Sequence, residues 1–203
     1  MRAYKRFDKR GFTLVELMIV VAIIGVLAAL AIFGVRRYLA SAKTSEAKDV
    51  IGAIARGAQA SYERETVASQ VVTEGSSSAQ ASHALCLSAA PVPGTMGAVQ
   101  GKKYQPSSAV NADFNAGDGL KGWQCLKFTI NSPIYYQYNY VKGASVIATG
   151  SAASTAEGFE ASAQGDLNGD GTVFSQFART GEVNTATGAI RLATQVFVAN
   201  EFE

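Results

Sequence analysis

Residues 11–35 read GFTLVELMIVVAIIGVLAALAIFGV, and the rest of the chain is organised around them. From Leu17 to Val35 nineteen consecutive residues carry no charge, about the length an α-helix needs to cross a bilayer. Before it stand Arg2, Lys5, Arg6, Lys9 and Arg10 against a single Asp8. Such a basic flank stays on the cytoplasmic side and directs the C-terminal part of the chain outward. A secretory signal peptide has a shorter apolar core that ends in small residues at its cleavage site, which is not the pattern here. The odd residue is Glu16: a carboxylate within an apolar segment costs roughly 3 kcal/mol on insertion scales and marks a function with a partner. A plain signal anchor with Glu16 reaching back to the interface leaves the order Gly-Phe-Thr-Leu-Val-Glu unexplained.

That order, Gly11-Phe12-Thr13-Leu14-Val15-Glu16 followed by the apolar run, resembles the prepilin signature of type IV pilins and type II secretion pseudopilins. The resemblance implies that a membrane prepilin peptidase cuts after Gly11 and methylates the new amine of Phe12. The mature chain would then run from Phe12 to Glu203. Cleavage creates an α-amino cation at membrane depth, which Glu16 of a neighbouring subunit can neutralise. Two buried charges that are costly alone become tolerable when paired by assembly. The chain departs from many type IV pilins in one respect: where they carry an Ala-Ile-Pro context, it reads Ala31-Ile32-Phe33-Gly34. No backbone donor is lost there, and Gly25 and Gly34 remain as the weak points of the helix.

Removing the first eleven residues takes away five basic residues and one acidic one, turning a net charge of +2 into about −2. The remaining Lys and Arg are scattered, so there is no broad nucleic-acid surface. Cys86 and Cys125 fall in the part that should face an oxidising compartment, and a disulfide closing a 40-residue loop is the leading reading. Two free thiols or a metal site are weaker alternatives, because no Cys or His pair completes a ligand set.

Beyond Val35 the pattern turns amphipathic, with Leu39, Ala47, Val50, Ile51, Ile54, Ala58 and Tyr62 near one helical face. An unbroken helix over residues 12–65 would be about 80 Å long. Periodicity then fails over residues 66–122, where Ser76-Ser77-Ser78, Pro91, Pro93 and Pro106 mark a long surface loop. His83 sits in it without a nucleophile or acid to work with. Residues 124–130 and 134–141 suggest an antiparallel hairpin around Asn131-Ser132-Pro133, and residues 157–164, 172–179 and 189–198 are further strand candidates. Tyr135, Tyr136, Tyr138 and Tyr140 read as sheet packing and interface groups. The expected fold is α+β, a long N-terminal helix packed on an antiparallel sheet of about four strands, as in type IV pilins. Its divisions are a leader over residues 1–11, a membrane or filament-core half-helix over 12–35, an amphipathic half-helix over 36–65, an αβ-loop over 66–123 and the sheet with the C-terminal region over 124–203.

Asp166-Leu167-Asn168-Gly169-Asp170-Gly171 matches the first half of a calcium loop. Phe177 stands where the bidentate glutamate belongs, so an Asx and glycine turn between strands is the leading reading. The minor one is calcium held by Asp166, Asn168 and Asp170, with Glu182 or a carbonyl completing the shell; major pseudopilins of the resembling group use calcium near their C-terminal end. No nucleophile elbow, phosphate loop or zinc pattern stands out, which points to a structural protein and not an enzyme.

What the resemblance implies is a type IVa pilin: an inner-membrane precursor with a periplasmic C-terminal domain, added by an assembly platform and its ATPase to a helical homopolymer. Passage through an outer-membrane secretin, motility, adhesion and DNA uptake belong to the same implication. The alternatives are a pseudopilin in a short periplasmic piston, a minor pilin, and a membrane-anchored binding protein or enzyme that never polymerises.

Overall fold

The computed structural model describes residues 11–64, 74–75, 83–147 and 157–203. Most of the leader and the serines at 76–78 lie outside the described residues. The chain divides into two compact units, residues 1–41 and 42–203. One helix, α1 (Leu14–Glu63), supplies elements to both and continues through Gly25 and Gly34. In the first unit, every described residue from Gly11 to Leu39 is exposed.

In the second unit α1 buries Thr44, Ala47, Ile51, Gly52, Ile54, Ala55, Ala58, Ser61 and Tyr62. The spacing of three and four places them on one stripe, and the small side chains let the helix come close to its cover. Of the residues expected on that face, Leu39 falls outside it and is exposed.

Among the described residues the sheet has six strands, all antiparallel: β1 (Ala89–Val92), β2 (Gln137–Lys142), β3 (Gly158–Gly165), β4 (Ser175–Val183), β5 (Ile190–Leu192) and β6 (Phe197–Ala199). The order is β1-β2-β3-β4-β5, with β6 also on β4. The pair β3 and β4 is in continuous register from Gly158↔Glu182 to Gly165↔Ser175. The candidate strand at 189–198 is two short strands, β5 and β6, each pairing with its own part of β4.

Two expectations are corrected. Residues 124–130 form no strand: a helical turn, α2 (Gly122–Leu126), occupies the place instead. A turn of helix sends Trp123 and Leu126, three apart, to the same side, where both are buried. It starts at Gly122, φ 73°, and is ended by Lys127 in the left-handed region, φ 51°. On the side away from β3, β2 therefore pairs with β1, from a region expected to be surface loop; there Leu85, Cys86, Ala89, Val92, Val99 and Phe114 are buried. Phe114 and Trp123 meet edge to face with centroids 5.0 Å apart, an arrangement favourable for aromatic pairs. Gly117, at φ 116°, lets the chain close: a Cβ there would stand 2.2 Å from the Lys121 carbonyl oxygen.

Tyr138 and Tyr140 on β2, and Tyr136 just before it, are buried in the core, while the half-buried Tyr135 has the Lys43 ammonium 4.2 Å from its ring centre. Burial pushes the Tyr136 hydroxyl up to about 12 and those of Tyr138 and Tyr140 higher still. The folded chain thus keeps protons that the unfolded chain releases. Stability is expected to fall as pH rises above about 10, by roughly 1.4 kcal/mol per pH unit for each of the three. Denaturant melts between pH 9 and 12 check this; a flat profile contradicts it.

Candidate assembly site at the helix N-terminus

Within the first unit, the chemistry is concentrated at the start of α1. Thr13 precedes the first helical residue, Leu14, and Glu16 is the third residue of the helix. The Glu16 carboxylate accepts from the Thr13 backbone N–H at 2.9 Å and from the Thr13 hydroxyl at 2.8 Å. In return the Glu16 N–H donates to Thr13 Oγ1 at 3.2 Å. This is a capping box, in which residues three apart satisfy each other's free backbone donors. The negative charge also sits at the helix end where the backbone dipole favours it.

Thr13 is a capping residue that hydropathy alone does not reveal. Its signal is nonetheless present in the sequence, since a Thr three residues before a Glu at the head of an apolar run is the capping-box signature. When Glu16 is read as a membrane charge, Thr13 is only part of a motif. Phe12 stands just outside the helix with 89% of its surface exposed. From Leu17 to Val35 the apolar side chains are exposed. By length and composition α1 is able to cross a membrane.

The other sequence-predicted residues lie in the second unit. Cys86 and Cys125 form a disulfide with Cα atoms 5.9 Å apart. Its surroundings are tied down: Tyr140 Oη donates to the Cys86 carbonyl at 3.1 Å and Arg64 Nη2 to that of Cys125 at 2.7 Å. His83 is exposed, with Nδ1 2.9 Å from the Tyr62 carbonyl oxygen.

The loop between β3 and β4 uses its ligand candidates otherwise. The buried Asp166 carboxylate accepts from the N–H groups of Gly169 at 2.6 Å and Gly171 at 2.9 Å. Asp170 accepts from Thr172 N–H and hydroxyl, which holds its carboxyl below the ordinary value, the Thr172 N–H acting most. Asn168 Oδ1 takes the Asp170 N–H, and its Nδ2 donates to Glu203 at 2.7 Å. Among the described residues no group of three or more His, Cys, Asp or Glu is placed to hold a metal ion. Glu182 is opposite Gly158, at the far end of β4 from this loop, and does not join it. These oxygens serve an Asx and glycine turn between β3 and β4. Melting temperature is expected to be the same in calcium and in chelator, and a calcium-dependent rise of several degrees would overturn this.

A family model described as "Prokaryotic N-terminal methylation motif" matches residues 6–32. The chain is 60% identical over 45 residues to the type IV major pilin protein PilA of Myxococcus xanthus, covering 22% of this chain and 20% of that protein. It is 48% identical over 54 residues to the fimbrial protein EcpC of Eikenella corrodens, covering 27% and 35%. To a fimbrial protein of Moraxella nonliquefaciens it is 59% identical over 39 residues, covering 19% and 25%. The chain thus spans between about a fifth and a third of the length of these relatives. No solved structure matches it. The methylation motif, the likeness to pilins and fimbrial proteins, and the long helix with its antiparallel sheet together support a type IV pilin.

Proposed function

We propose that this chain is a structural subunit of a type IV pilus. A prepilin peptidase cuts it after Gly11 and methylates the Phe12 amine. The chain waits as a single-pass inner-membrane protein, with residues 12–35 in lipid and the C-terminal domain in the periplasm. An ATPase-driven platform then adds it to a helical homopolymer that leaves through an outer-membrane secretin. In this reading residues 1–11 are the leader, residues 36–65 the amphipathic half of the helix and the rest the exposed head, available for motility, adhesion or DNA uptake.

The observation that carries the reading is the bare apolar half of α1 with one carboxylate near its start. A surface of this size is tolerable only in lipid or against other copies. Glu16 in its capping box presents a fixed negative charge one turn from Phe12, where the amine of an adjacent copy can meet it. The methylation motif over residues 6–32 covers the same segment.

Intact mass spectrometry of protein sheared from cells, set beside the membrane fraction, tests the proposal. The expected result is an abundant sheared species beginning at methylated Phe12. Recovery from membranes alone, cut at Gly11, would assign the chain to a pseudopilin or a minor pilin. Recovery with the leader intact would end the pilin reading.

A further inference from the structure

Two arginines that the assembly reading does not use converge in the second unit. Gly52 is buried on the inner stripe of α1. A Cβ built on it would stand 3.4 Å from Arg56 Nη1 and 3.6 Å from Arg179 Nη1. One guanidinium comes from the next turn of the same helix, the other from a strand more than a hundred residues later in the chain. Both reach the same few ångströms of bare helix backbone. Side chains on a helix lean toward its N-terminus, which carries Arg56 back over Gly52. Arg179 stands two residues from Phe177 and from Gly181 on β4, both buried, so it shares their face of the strand. Its Nε donates to the Ala193 carbonyl at 3.2 Å, which orients the guanidinium, and its Nη1 is the atom that comes near Gly52.

Like charges placed together repel, and among the described residues no carboxylate comes within 4.0 Å of either group. Glycine within a helix is also a destabilising choice relative to alanine. Here it removes the side chain that would otherwise stand between the two forks. Guanidinium groups present planar forks of N–H donors that match the oxygens of a carboxylate or phosphate, and here two of them approach one point. We propose that Arg56 and Arg179, converging over Gly52, form a seat for an oxyanion, either a carboxylate or a phosphate group. The anion neutralises both cations and accepts from their free Nη donors.

The test uses the full chain in detergent micelles at constant ionic strength, titrated with inorganic phosphate and followed by the arginine Nε–H signals in NMR spectra. The expected result is a saturable shift with a millimolar midpoint. Arg56→Gln and Arg179→Gln should each weaken it at least tenfold, while Arg191→Gln, an exposed arginine on β5, should leave it unchanged. Thermal melts check that each variant folds; Arg56 is exposed, so its variant keeps the test open if Arg179→Gln does not fold. A shift that grows linearly with phosphate, or equal loss with Arg191→Gln, overturns the proposal. Acetate in place of phosphate separates the two sources. Saturation by acetate assigns the seat to a carboxylate, such as an acidic side chain of another copy, and saturation by phosphate alone assigns it to a phosphate ester.

Discussion

Glu16→Ala is expected to remove the protein from the sheared surface fraction while leaving it abundant in membranes. The two effects have separate causes. Deleting a carboxylate from an apolar segment makes insertion easier by roughly 3 kcal/mol, so the precursor accumulates. Assembly loses the charge that would neutralise the Phe12 amine of the adjacent copy, and that amine is then unpaired in the apolar interior of the fibre. The capping box adds a smaller contribution, since losing an N-cap interaction costs about 1 kcal/mol of helix stability. Glu16→Gln separates the two, because its amide oxygen can still accept from Thr13 N–H and hydroxyl, the two donors now on the carboxylate. If charge pairing governs assembly, Glu16→Gln fails as Glu16→Ala does. Thr13→Val, which removes the cap hydroxyl and keeps the charge, should then assemble at reduced yield. Abundant sheared fibres from Glu16→Ala would sink the assembly role given to this residue.

The second large effect is expected at the disulfide. Replacing Cys86 and Cys125 by serine frees a loop whose ends are 39 residues apart in sequence. In the chain-entropy account this lowers stability by about 4 kcal/mol. For a domain of this size that is on the order of 10 °C in melting temperature. The structure adds a reason for the full loss to appear. Both cysteines are buried, and their carbonyls receive hydrogen bonds from Tyr140 and Arg64. The bond therefore clips the end of α1, α2 and β2 to one another, and serine hydroxyls in that place would be buried without assured partners. Reductant added during denaturant unfolding should shift the wild-type midpoint toward that of the double variant and leave the variant unmoved. A loss under 1 kcal/mol would mean that packing of Trp123 and its aromatic neighbours holds the region without the bond.

Much of this protein is legible in the order of its residues. A nineteen-residue uncharged run after a basic flank needs only hydropathy and length to be read as a membrane segment. The stripe from Ala47 to Tyr62 needs only the helical period. The strands β3 and β4 are visible within a few residues of their ends, because alternation and the Asp-Gly turn between them are local signals. Glu16 and Phe12 stand out because their pattern is compact in sequence, and Thr13 is legible by the same means through its spacing from Glu16.

The remaining features depend on groups distant in sequence. Residues 124–130 carry strand-forming side chains, yet burying Trp123, Cys125 and Leu126 together, with a bond to Cys86, favours one helical turn. The strand β1, in a stretch of prolines and small residues, exists because Ala89 and Val92 find Tyr140 and Tyr138 opposite them; β-propensity reflects neighbours across the sheet more than the residue itself. Along the chain Glu182 looks available to the acidic loop, and the β3 and β4 register places it at the other end of its strand. The meeting of Arg56 and Arg179 over Gly52 has no trace in the sequence at all. Local periodicity and hydropathy act between near neighbours and can be read along the chain, whereas pairing, closure and charge convergence act through space and are settled only when the chain has folded.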